Sequence, residues 1–164
     1  MSSLTRLSLF LLFAFCFLLF ASTSAHAEGE FKTDYKVDYQ IDKNGQTLVN
    51  QDIILENKTP NFYADKFELK IGSTKVSDVK AQDDSGDLET EVKFENNITT
   101  ISVKFKQRVI GAGKTLSWHL SYTSAELATK SGQIWEISIP KLAKSPDTNS
   151  YDAKITVPRN FGPV

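Results

Sequence analysis

The residues that could carry out chemistry are few. Beyond residues 1–27, which hold His26 and an apolar run containing the single cysteine, Cys16, the chain has one histidine, His119. A Ser-His-Asp or Cys-His constellation would therefore have to be assembled around His119. The segment Leu116 to Tyr122 alternates apolar and polar residues, which sets His119 on the polar side of a strand. Its expected role there is a solvated or cross-strand hydrogen bond.

Three other patterns invite a chemical reading. Asp83-Asp84-Ser85-Gly86-Asp87 is an acidic turn, and hard cations take oxygen ligands from such loops, so Asp83, Ser85 and Asp87 form a weak calcium candidate. It lacks the distal glutamate and glycine placement of the helix-loop-helix calcium motif, and a plain solvated turn is the competing reading. Paired carboxylates could hydrolyse a glycosidic bond, but Asp34, Asp38, Glu68, Glu91 and Glu95 sit beside lysines on outward strand positions. Gly111-Ala112-Gly113-Lys114-Thr115 has the wrong glycine spacing for a phosphate-binding loop and leads into a strand, so it reads as a tight turn. No catalytic residue, cofactor site or metal site is assigned, apart from that weak calcium candidate.

Phe62 and Tyr63 follow Pro60 in a stretch without alternation, which marks them as aromatics at a domain edge or contact surface. Trp118, Tyr122 and Trp135 fall instead on strand faces assigned to the core.

The elements that must position these residues are strands. Phe31, Tyr35, Val37, Tyr39 and Ile41 alternate with charged and polar residues, and Asp42-Lys43-Asn44-Gly45 turns the chain into a second strand, Thr47 to Glu56. Further strands are predicted around Phe67 to Ile71, Val76 to Ala81, Leu88 to Glu95, Ile98 to Lys106, Leu116 to Tyr122, Ile134 to Ile139 and Tyr151 to Val157. The last of these is expected to bury Tyr151, Ala153, Ile155 and Val157. Ala125 to Lys130 is read as a single helical turn. Some nine short strands with one polar face each predict an all-β fold, an antiparallel, immunoglobulin-like β-sandwich.

Arg6 precedes an apolar run from Leu7 to Ala21, followed by Ser22-Thr23-Ser24 and Ala25-His26-Ala27. That is a secretory signal layout with small residues where signal peptidase cuts, so cleavage is expected after Ala27. At about 15 residues the run is short of the roughly 20 that cross a bilayer. An uncleaved amino-terminal anchor is the alternative. The chain is thus expected to be exported, to be secreted, periplasmic or membrane-anchored. Residues 1–27 are assigned to the signal, 28–160 to one sandwich domain and 161–164 to the start of a linker towards a further domain.

Removing 27 of the 164 residues leaves 137, enough for one core, and leaves no cysteine for a disulfide. Losing Arg6 takes Lys plus Arg from 19 to 18 against 20 Asp plus Glu. Such a balance supplies no basic patch for phosphates and excludes nucleic acid as a partner.

Four phrases together resemble a known family: Glu56-Asn57-Lys58-Thr59-Pro60-Asn61-Phe62-Tyr63-Ala64, Leu69-Lys70-Ile71-Gly72-Ser73, Gly113-Lys114-Thr115-Leu116-Ser117-Trp118-His119-Leu120-Ser121-Tyr122, and Gly132-Gln133-Ile134-Trp135-Glu136-Ile137-Ser138-Ile139-Pro140-Lys141-Leu142. They resemble the amino-terminal β domain of bacterial exported transglutaminase-like proteins. In those a signal peptide and such a domain precede a papain-like Cys-His-Asp core. The resemblance implies a non-catalytic accessory module that acts as scaffold or presents substrate or partner, its partners being a downstream catalytic domain in the same polypeptide or an extracellular protein or peptide. None of the family's catalytic residues has a match here. A free-standing envelope adhesion or ligand-binding domain is the second expectation and a carboxylate-dependent glycosidase the third.

Overall fold

The computed structural model describes residues 29–72, 74–140 and 145–161. The expected signal segment, with its expected cleavage after Ala27, and residues 162–164 of the expected linker lie outside them.

The described residues form ten strands: β1 (Phe31–Ile41), β2 (Thr47–Asn57), β3 (Lys66–Gly72), β4 (Ser77–Asp83), β5 (Gly86–Glu95), β6 (Ile98–Lys104), β7 (Thr115–Ser124), β8 (Ala128–Ser131), β9 (Ile134–Ile137) and β10 (Thr148–Thr156), before a 3-10 turn at Arg159–Phe161. Eight form a curled sheet in the order β10-β1-β2-β7-β4-β5-β6-β3, and β8 pairs with β9 separately. β5 makes the corner. Its start, Gly86 to Leu88, pairs with β4, and from Glu89 to Glu95 it pairs with β6. The sheet thereby folds over itself and the sandwich has a broad layer centred on β1, β2 and β7 beneath a narrow one of β5, β6 and β3.

Alternation explains the core. On β2, Val49, Ile53 and Leu55 are buried while Leu48, Asp52 and Ile54 face out; on β7, Leu116, Trp118, Leu120 and Tyr122 are buried. Ile71, Ile101 and Val103 close the core from the narrow layer. Trp118 is the centrepiece, meeting the rings of Phe67 and Phe105 edge-on at 5.1 Å and 5.5 Å. Each such pair contributes about 0.5–1.5 kcal/mol beyond burial.

The turns follow the expected chemistry. The Asp42 carboxylate accepts from the amides of Asn44 and Gln46, and Gly45 takes the positive φ of +87° that closes the β1–β2 hairpin. Asn96 and Asn97 both have positive φ between β5 and β6.

Four expectations are corrected. Residues 128–131 form β8 and not part of a helical turn, because they pair with β9 from Ala128↔Ile137 to Ser131↔Ile134. β10 joins β1 in parallel, the exception in an otherwise antiparallel arrangement. Ala153 and Ile155 alternate as core residues do, yet they are exposed and Tyr151 is only half-buried, because the narrow layer does not extend over the outermost strand. Trp135 is half-buried and stacks on Phe161 at 4.2 Å with the rings nearly parallel, outside the main core.

Candidate contact surface

Asn57, the last residue of β2, organises one end of the sandwich. It is 1 % exposed, and a buried amide needs every polar atom partnered. Its main-chain N–H donates to the Lys114 carbonyl (2.8 Å) and its carbonyl accepts from the Gly113 N–H (2.7 Å). Its side-chain Nδ2 donates to the carbonyls of Phe62 (2.5 Å) and Val109 (3.2 Å). Oδ1 accepts from both the amide and the hydroxyl of Thr59 at 2.8 Å. One side chain thus ties the β2–β3 loop to the β6–β7 loop.

Those loops carry the apolar residues of this end. Phe62 is 55 % and Ile110 54 % exposed. Neither loop is free to fold them inward, since the carbonyls of Phe62 and of Val109, next to Ile110, are both held by Asn57. Tyr63 is half-buried with the Arg108 guanidinium 5.0 Å from its ring centre, a cation–π contact between the two loops. Beside them an open groove of about 380 Å³ runs between Phe31, Tyr63, Phe67 and Asp147. The sequence pattern singled out Phe62 and Tyr63, of which Phe62 is exposed and Tyr63 half-buried, but neither Ile110 nor the Asn57 hub. The signal for the hub was Asn57-x-Thr59 at the end of an alternating strand, a local side-chain-to-backbone turn pattern.

The other candidates lie elsewhere. His119 faces outward on β7, and its Nδ1 meets Asp52 Oδ1 at 2.9 Å across the β2–β7 pairing. That pair is open to solvent, with 31 % of the His119 side chain and 69 % of the Asp52 side chain exposed. It lines a shallow depression with Gln82, Asp84 and Ser117.

Asp83, Ser85 and Asp87 do not converge. The buried pair Ala81↔Leu88 fixes the parity of the β4–β5 hairpin, so Asp83 and Asp87 leave opposite faces of the sheet. Asp83 Oδ1 accepts from the Ser85 amide at 2.7 Å and from its hydroxyl, which is a turn cap. Among the described residues no group of three or more His, Cys, Asp or Glu side chains could hold a metal ion.

The acids weighed for glycoside hydrolysis are spread over both layers. Asp34 accepts from Asn149 and Ser150, Asp38 from Gln40, Glu68 from Lys66, and Glu91 is bridged to Lys93. The Lys66 ammonium holds the Glu68 carboxyl below its usual range. Glu95 lies at the end of β5.

The interior has polarity of its own. Tyr39 and Tyr151 share a hydrogen bond between hydroxyls (3.0 Å), and Gln51 Nε2 donates to the Tyr122 hydroxyl (3.3 Å). Burial pushes the phenols of Tyr35, Tyr39 and Tyr122 above their usual range, and the Tyr151 hydroxyl raises Tyr39 further.

Neither a scan against protein-family models nor a search of curated proteins finds a match to this chain.

Proposed function

We propose that this chain is a non-catalytic β-sandwich module of an exported transglutaminase-like protein, and that it presents a partner through the loops around Asn57. The observation that carries the reading is the construction of that end: the side-chain amide of a fully buried asparagine donates to the carbonyls of Phe62 and Val109, and so holds the two loops on which Phe62 and Ile110 stand exposed. Exposed apolar side chains on a rigid loop pair are the material of a protein contact, where ordering costs little on binding. The four sequence phrases that resemble the amino-terminal domain of such proteins supply the setting, and the signal layout supplies the export.

Absence of chemistry in the module rests on the His119 site, where an imidazole and a carboxylate meet on an open, solvated face. Acyl transfer needs a nucleophile against that imidazole and a donor pair for the oxyanion, in a site shielded from water. The second reading is a free-standing ligand-binding domain, favoured by the groove between Phe31, Tyr63 and Phe67.

Translating the reading frame beyond the codon for Val164 separates the two. A following domain with a cysteine, a histidine and an aspartate supports the accessory module; a stop codon directly after Val164 refutes it and leaves the free-standing domain.

A further inference from the structure

β10 ends the eight-stranded sheet, and among the described residues nothing pairs with its outer edge. Asp152, Ala153, Lys154, Ile155 and Thr156 are all exposed, Ile155 by 48 %. An uncovered strand of this length is a template for another strand. Its sequence, Ser150-Tyr151-Asp152-Ala153-Lys154-Ile155-Thr156, is complementary to itself when reversed. Placed antiparallel about Ala153, Asp152 faces Lys154 of the second copy, Tyr151 faces Ile155, and Ser150 faces Thr156. Shifting the centre by one residue sets Asp152 against Asp152 or Lys154 against Lys154, so the register is fixed by charge.

We propose that this chain forms a two-fold symmetric dimer by antiparallel pairing of β10 with β10 of a second copy, centred on Ala153. The pairing within each chain supports it. On the outer face Lys36 lies beside Asp52 of β2 on one side and Asp152 on the other, and Asp38 lies beside Lys154. Across the two-fold the row reads Asp52, Lys36, Asp152, then Lys154 and Asp38 of the second copy, a strict alternation of sign over five strands. On the inner face Tyr39 and Ile155 are continued by Tyr151 and Tyr35 of the second copy, so the exposed Ile155 gains an aromatic cover.

The other open edges lack this combination. On β3, Leu69 and Ile71 are already buried and Lys66 is already bridged to Glu68. The free edge of β5 exposes Val92 and Phe94, but a two-fold about Val92 would set Glu89 against Glu95, and Glu91 and Glu89 already meet Lys93 and Lys104.

The test is sedimentation equilibrium of the processed chain, residues 28–164, at about 100 μM, above the micromolar range a small strand-edge interface supports. The wild type is expected as a dimer. Asp152→Lys and Lys154→Asp, each alone, set like charges across the axis twice and should weaken association about tenfold or more. Mixing the two variants in equal amounts restores both opposite-charge pairs and should regenerate the dimer, which a folding defect in either variant could not do. Ala153→Cys reads the axis directly, since directly opposed antiparallel residues have Cα atoms about 4.5–5.5 Å apart, within disulfide reach. With no other cysteine in the processed chain, oxidation should give a covalent dimer. A monomeric wild type, a mixture that stays monomeric, or Ala153→Cys that does not cross-link would each overturn the proposal.

Discussion

The two ends of the sandwich both expose apolar side chains, and they hold them by different means. At one end Phe62 and Ile110 ride on loops pinned by the hydrogen bonds of buried Asn57. At the other, the β8–β9 hairpin exposes Ile134 by 72 % and is held by shape: Trp135 lies against Gly45 and stacks on Phe161, with one main-chain bond from Ser138 to Leu127. A hydrogen-bonded anchor is directional, with a narrow range of donor–acceptor distance and angle. Aromatic stacking tolerates sliding. The first end is therefore suited to present a surface, and the second to close off the hydrophobic layers.

The largest expected effect falls on the body both ends share. Tyr35, Tyr39 and Tyr122, three of the five tyrosines, have phenols raised above the ordinary value of 10.0 by burial. The unfolded chain ionises first, so the stability these groups contribute is complete below pH 10 and is lost as pH climbs towards their folded values. A spectroscopic titration should show their tyrosinate absorbance appearing together with loss of the fold. Ionisation of all five near pH 10 with the sheet intact would contradict the packing.

Asn57→Leu comes next. It strands the carbonyls of Phe62 and Val109 in a buried setting and should cost about 2–4 kcal/mol in denaturant unfolding. Hydrogen exchange should quicken in residues 58–65 and 105–114 and stay unchanged in 128–137. Equal loosening of both ends would erase the contrast between them.

Gly45→Ala probes the opposite end. A Cβ there would stand 2.6 Å from the Trp135 ring and 2.8 Å from the Ala128 carbonyl oxygen, at a φ of +87° that side chains disfavour. The expected cost is about 1–2 kcal/mol, with a shift of Trp135 fluorescence as the hairpin moves. The smallest effect belongs to Phe62→Ser combined with Ile110→Ser, which should change stability by no more than about 0.5 kcal/mol, because the side chains touch solvent and not the core.

Alternation made the strands legible and said less about where they lie. β7 and β10 read alike in sequence, yet Leu120 is fully buried and Ile155 is exposed, because burial depends on whether a second layer covers the strand. That second layer is set by the β5 corner, which joins residues distant in sequence. The core placement of Trp118 and Tyr122, the outward cross-strand bond of His119 and the location of Phe62 in an exposed loop without alternation were readable because each depends on local pattern. β8 was misread because Ala125 to Lys130 has helix-compatible residues and its strand character comes from the pairing with β9. Asn57 was missed as a hub because its partners Val109, Gly113 and Lys114 lie more than fifty residues away.

The central claim is that the Asn57 end is the surface this module shows to a partner, and site-specific photocross-linking in cells that make the full chain tests it directly. A photoreactive residue at position 62 should give one discrete protein adduct that is lost with Ile110→Asp, while the same residue at position 134, the most exposed apolar site of the opposite end, should give none. No adduct at 62, or the same adducts from both positions, would contradict it.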